Sequence, residues 1–278
     1  MSTLTPGPLL ALGRTAEVYA WQEDQVLKLF YAWCSPDSVQ HEIEIGRAIA
    51  AMALPTPKLV GALEIEGRHG ILYERVEGPS MLKQCNSKPW LVFRFARQLA
   101  DLHAEIHSHN GDGLPPVRPS LRWEIEQVDS LPPTLKAGVL GLLETLPDGN
   151  TLCHCDFHPD QVLITATGPV IIDWMTAHQG PPLADLTRTL ILLKVGQVPY
   201  AGLAMRAIIS LWRGLFYRTY IARYFEQHPA ATTSDVRAWM VPVAAARLNE
   251  HIAGEQEPLL RIIQRAAGAM PPNSRLRP

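Results

Sequence analysis

The chain has 278 residues, 47% of them hydrophobic and 19% charged, with a formal net charge of -2. That length supports one large or two modest domains with proper cores, and the near-neutral balance supplies no overall pull towards nucleic acid. Cys34, Cys85, Cys153 and Cys155 show no framework spacing, and no basic segment with an apolar core opens the chain, so the cytoplasm is the expected compartment. The longest apolar stretch, residues 190–216, is interrupted by Lys194, Arg206 and Arg213, which argues against a membrane span.

Residues 9–12, 17–21 and 25–31 read as three strands of a meander, turned at Gly13-Arg14-Thr15 and at Gln22-Glu23-Asp24. In the third strand Val26, Lys28 and Phe30 share a face, because side chains alternate with period 2. A lysine between apolar neighbours is either functional or snorkelling at an edge. Ser35-Pro36-Asp37 is a helix start, with Ser35 as N-cap and Pro36 in the first turn. The helix should run to about Met52, with Val39, Ile43, Gly46 and Ile49 on its apolar stripe and Glu42 beside it, able to reach inward.

Leu54-Pro55-Thr56-Pro57 stops that helix, and residues 58–65 and 69–75 read as two strands joined at Glu66-Gly67. A lobe boundary is expected at residues 74–78. Residues 90–107 form a clear helix with Val92, Phe95, Leu99, Leu102 and Ile106 as its core stripe. His103, His107 and His109 lie on or near that stripe. Histidines at i and i+4 can share a metal, but no carboxylate or cysteine stands at ligand spacing, so surface or helix-end positions are expected.

Residues 121–128 and 133–146 read as helices, followed by a strand, the polar loop His154-Cys155-Asp156-Phe157-His158-Pro159-Asp160-Gln161, and strands over 162–164 and 170–172 that end in Asp173. This layout is expected to bring Asp156 and Asp173 towards one spot. Residues 183–193 begin a helix carrying Asp185 and Arg188. The remainder is helical in pattern, with breaks expected near Pro199, Pro229 and Pro258 and a loose end over 271–278. Zinc binding by Cys153, Cys155, His154 and His158 is disfavoured, because alternation turns both cysteines away from His154 and a partner pair is missing.

Lys28, Glu42, the segment from His154 to Leu163, Ile172-Asp173-Trp174 and Gly180-Pro181-Pro182-Leu183-Ala184-Asp185 together resemble the protein-kinase-like phosphotransferases, in the branch of aminoglycoside phosphotransferases and choline kinase relatives. The resemblance implies an α+β, bilobal protein-kinase-like fold: a β-rich nucleotide-binding lobe over residues 1–76 and a mostly helical catalytic and acceptor-binding lobe over 77–278. It implies ATP and Mg2+ as cofactors and a small-molecule hydroxyl as acceptor, with neither nucleic acid nor membrane as partner.

By the same resemblance Lys28 holds the phosphates and pairs with Glu42, Asp156 is the base, and Asp173 carries magnesium with Gln161 at the usual asparagine position. Gly13 marks the nucleotide loop, the Glu74-Arg75-Val76 hinge meets the base, and His154 and Asp185 brace the loop. Cys155 replaces the family's glycine, so the backbone there is expected to need no positive φ. The arginines after Leu186 outnumber the acids, which suits a neutral or anionic acceptor better than an aminoglycoside polycation. A nucleotide-binding pseudokinase acting as a regulatory or interaction module is the alternative, suggested by Gln161 and the glycine-poor loop.

Overall fold

The computed structural model describes residues 5–195 and 203–269. The breaks and ends expected at Pro199 and over 271–278 lie outside the described residues. The chain divides into two compact units: one comprises the residues up to Gln84 together with Pro159–Thr176, and the other Cys85–His158 together with the chain from Ala177 onward. A single cut after residue 76 therefore does not describe the division, because two short strands from later in the chain join the first unit. Their backbone shows why: Ile164 N donates to Pro79 O at 2.9 Å and Ile171 N to Pro55 O at 2.7 Å.

The first unit is built on an antiparallel sheet in the order β1-β2-β3-β5-β4, with β1 at Leu9–Leu12, β2 at Ala16–Trp21, β3 at Gln25–Phe30, β4 at Leu59–Ile65 and β5 at Arg68–Glu74. Strand β3 is central, and Lys28 lies between Val18 and Ile71 in register. Glu66 and Gly67 both have positive φ, 51° and 76°, the conformation that a tight two-residue hairpin requires. Helix α1, Pro36–Ala50, is capped by Ser35, whose hydroxyl accepts from Ser38 N. Its Val39 and Ile43 pack with Ala16, Phe30 and Ile71, while Trp21, Leu27, Leu29 and Ile65 form a second cluster. Strands β7, Val162–Ile164, and β8, Pro169–Ile171, form a hairpin in this unit.

Helix α2, Met81–Ser87, crosses the boundary between the units. The second unit is mainly helical: α3 at Val92–His107, α4 at Val117–Glu126, α5 at Pro133–Thr145, α6 at Pro182–Val195, α7 at Leu203–Gln227, α8 at Thr233–Leu248 and α9 at Gln256–Ala269. Strands β6, Thr151–Cys153, and β9, His178–Gly180, pair beside them. Val117, Leu121, Ile125, Leu143, Ile191, Trp239 and Ile263 belong to its core. The break expected near Pro258 lies just before it, between α8 and α9, with His251 and Gly254 at φ 51° and 79°. Pro258 itself sits in the first turn of α9, where an N–H would lack an intrahelical partner anyway. Among the described residues no helix is long and apolar enough to cross a membrane.

Gly78 has φ 156°, and a Cβ there would stand 2.4 Å from the backbone oxygen of Ile164. Gly78→Ala is expected to lower the Tm by several degrees by forcing the β7 backbone away, whereas Gly61→Ala, with nothing near its Cβ position, should change it little; thermal melts of both variants check this.

Candidate active site

In the first unit, the alternation that gives β3 its buried face also points Lys28 inward, where an unpaired ammonium would be costly. Two carboxylates meet it. Lys28 Nζ donates to Glu42 Oε1 at 2.8 Å and to Asp173 Oδ1 at 3.1 Å. Burial alone would push the Lys28 ammonium down, but the Asp173 and Glu42 charges override it and hold its pKa above the ordinary lysine value. The Tyr73 hydroxyl donates to the same Glu42 oxygen at 3.1 Å, while Glu42 Oε2 is buried with no hydrogen-bond partner among the described residues.

Asp173 stands just past β8 at φ 63°, a left-handed conformation that aspartate tolerates better than most residues, and its side chain is 36% exposed. It is therefore the reachable member of the triad. Gln161 Nε2 donates to Asp173 Oδ2 at 3.4 Å, so its amide lies beside the same carboxylate. The carboxylate and amide oxygens available here are hard donors, the type magnesium prefers, and the residues fit such an ion. Gly13 closes the β1–β2 turn by donating its N–H to Ala16 O at 2.8 Å. Glu74 ends β5 with its N–H on Lys58 O, and Arg75 N donates to Asp24 O, each at 2.8 Å, which fixes the segment leading to Val76.

In the second unit the organising group is Asp185, on the first turn of α6 and fully buried. Its Oδ2 accepts from His154 N at 2.6 Å and its Oδ1 from Cys155 N at 2.9 Å. His103 Nε2 and His107 Nε2 lie 3.1 and 3.2 Å from Oδ2. Burial alone would raise the Asp185 carboxyl, but the two histidines hold it well below the usual range. His107 is at the end of α3 as expected, but neither histidine is at the surface. Both are buried, with each Nδ1 against a buried tyrosine hydroxyl, Tyr220 at 2.5 Å for His103 and Tyr224 at 2.7 Å for His107. Burial pushes His107 down to about 4, so it is neutral at physiological pH and offers Asp185 a hydrogen bond rather than a charge. These three residues are close enough together to share an ion; both Nδ1 atoms and His107 Nε2 are engaged by the tyrosines and Asp185, while His103 Nε2 lies near Asp185 outside hydrogen-bond geometry.

This anchor explains a departure from expectation. Cys155 does have positive φ, 61°. The left-handed backbone costs a non-glycine residue about 1 kcal/mol or more, and the bonds from His154 N and Cys155 N to one buried carboxylate stabilise it. The Cys155 thiol is raised well above its ordinary value by its contact with Cys153 and by burial, which makes it a poor thiolate. Asp156 N then donates to His154 Nδ1 at 3.3 Å, and Thr189 Oγ1 to Phe157 O at 2.8 Å, so the loop is held along its length. Asp156 itself has His158 Nε2 at 3.7 Å from Oδ2 and Arg188 Nη2 at 3.7 Å from Oδ1.

A model of the phosphotransferase enzyme family matches residues 8–239. The chain belongs to that family. The phosphotransferase shares its fold with an aminoglycoside-3'-phosphotransferase of type VIII, at 17% identity and a TM-score of 0.60 over 87% of this chain and 90% of that one. It is also similar to a choline/ethanolamine kinase family protein from Mesorhizobium loti (14% identity, TM-score 0.54, 99% and 92% covered). A third similar structure is a macrolide 2'-phosphotransferase from Brachybacterium faecium (17%, 0.53, 92% and 91%). No curated protein matches the chain. Membership makes the chain a phosphotransferase acting on hydroxyl groups.

Residues to which the sequence assigned no site role complete the phosphotransferase's second unit. Arg188 pairs closely with Glu250, and Arg247 binds Glu250 at 2.6 Å and Glu255 at 2.8 Å. Burial would raise Glu250, but Arg188 and Arg247 bring it down to about 2. Burial pushes Glu124 up to about 7, against the pull of Arg188. Because its folded pKa lies above the unfolded value of 4.5, Glu124 favours the folded state most below that pH, and this advantage is lost as pH rises through about 7. Glu124→Gln should therefore raise the Tm at pH 8 and leave it nearly unchanged at pH 4, read by melts across pH. Asp185→Asn, which swaps one acceptor oxygen for an NH2 facing backbone donors, should destabilise by about 3 kcal/mol in denaturant titration.

Proposed function

We propose that this phosphotransferase is an ATP-dependent, magnesium-requiring small-molecule kinase that moves the γ-phosphoryl group to a hydroxyl of a metabolite or antibiotic-like acceptor. The observation that carries the reading is the buried Lys28 ammonium shared between Glu42 and an accessible Asp173. Phosphoryl transfer is mostly positioning and charge neutralisation, and a fixed cation beside a reachable carboxylate supplies both. A streptomycin–ATP ternary complex and an ADP-bound structure among similar aminoglycoside phosphotransferases support the choice of nucleotide.

In this reading Lys28, oriented by Glu42, contacts the phosphate oxygens. Asp173, with Gln161 beside it, would hold magnesium, which when bound spreads the negative charge of the phosphate chain. Gly13 and the backbone from Glu74 to Val76 line the nucleotide side. Asp156 accepts the proton as the acceptor oxygen bonds to the γ-phosphorus and the bond to the β-phosphate oxygen breaks. His154 and Asp185 keep Asp156 in place. Residues 1–76 serve the nucleotide and the later helices the acceptor, and the enzyme works in the cytoplasm.

The arginine excess weighs less on the acceptor than the sequence suggested. Arg188 and Arg247 are tied to glutamates, and Arg223 binds Asp101 at 2.7 Å and Glu226 at 3.0 Å, so these charges are already balanced. An acceptor screen with Mg-ATP, spanning polyols, sugars, amino alcohols, aminoglycosides and macrolides, is expected to release ADP with at least one compound. Asp156→Asn should lower that rate by about a hundredfold or more. Stabilisation of the protein by Mg-ATP with no ADP from any acceptor would instead favour a nucleotide-binding regulatory module.

A further inference from the structure

Helix α6 reaches the loop around Asp156 in two ways. Asp185 takes the backbone N–H groups of His154 and Cys155, and Arg188, three residues later on the same helix face, reaches the Asp156 carboxylate. The Arg188 side chain is only 13% exposed, and its Nε is buried with no hydrogen-bond partner among the described residues. A guanidinium cannot shed its charge, so burying one with an unmet donor is costly and needs a compensating interaction. Glu250, just beyond the end of α8, provides it: its Oε1 binds Arg188 while its Oε2 takes Arg247 Nη1 at 2.6 Å, and Arg247 is fixed in turn by both oxygens of Glu255.

We propose that Arg188 is a positioning residue for the transfer reaction, setting the direction of the Asp156 carboxylate, and that Glu250 is the clamp that holds Arg188 in place. At 3.7 Å the Arg188–Asp156 contact is a charge attraction and not a hydrogen bond, so it orients the carboxylate without engaging a lone pair. One nitrogen, Nη2, faces both Glu250 and Asp156, and it belongs to a guanidinium whose charge does not titrate away. This assignment rests on the reading of Asp156 as the base.

The test uses the intact protein with Mg-ATP and water as acceptor, read as steady-state ADP release. Arg188→Met is expected to lower kcat by about tenfold or more while KM for ATP stays within about twofold, since a misdirected base slows transfer without loosening the nucleotide. Arg188→Lys should restore only part of the rate. In an Asp156→Asn background Arg188→Met should cause no further fall. Equal losses in both backgrounds, or a rise in KM with kcat unchanged, would overturn the assignment. Glu250→Gln, which keeps the side-chain shape, should show the same pattern more weakly and carries the test if Arg188→Met does not fold. A wild-type protein that releases no ADP with water or with any acceptor of the screen would count against the kinase reading itself. In that event crystal structures of the wild type and Glu250→Gln decide: an Asp156 carboxylate that turns supports the positioning role, and one that stays put removes it.

Discussion

A lysine ammonium on the central strand of a sheet, facing inward, is stable only if anions come to it. Lys28 meets that constraint with Glu42 from α1 and Asp173 from the segment after β8, and much of the first unit follows from it. Helix α1 must lie on the face of the sheet that bears Lys28, which places Val39 and Ile43 against Phe30 and Ile71. The β7–β8 hairpin must return to the N-terminal sheet for Asp173 to reach the ammonium, although 145 residues separate the two positions. The desolvation cost of this cation is the physical reason to regard the triad as functional, because an apolar residue at the same place would pack without it.

The second unit has an analogous centre of opposite sign. Asp185 is a buried carboxylate that accepts from the backbone N–H groups of His154 and Cys155 and faces the imidazole of His107. Helix α3 contributes His103 and His107, α7 contributes the tyrosine hydroxyls behind them, and α6 contributes Asp185 itself. The result is a rigid mount for a loop with a left-handed residue at Cys155. A carboxylate acting as a base needs such a mount, because small displacements of a reacting group are expensive in rate.

The meander, the Ser35 cap, the Glu66-Gly67 turn and the stripe of α3 were legible because each depends on local spacing and turn chemistry. Strand and helix periodicity marked Lys28 and Glu42 each as able to face inward, and it was the family resemblance that paired them. What escaped was set by distant partners. His103 and His107 looked like surface residues because the carboxylate that buries them lies 78 residues further along from His107. Cys155 looked like a sign of relaxed backbone because its neighbours in sequence do not reveal the bond to Asp185 that holds it at positive φ. The grouping of Arg188 with Glu250 and Glu124 depends on packing between separate segments of the chain, which no local pattern reveals.

The central claim is that the Lys28, Glu42 and Asp173 triad receives a magnesium nucleotide. Calorimetric titration of ATP with and without magnesium, into wild type and Asp173→Asn, tests it most directly. Wild type should bind more tightly when magnesium is present, and the variant should lose that increment while still binding the nucleotide. An Asp173→Asn protein that keeps the full magnesium-dependent gain would contradict the account.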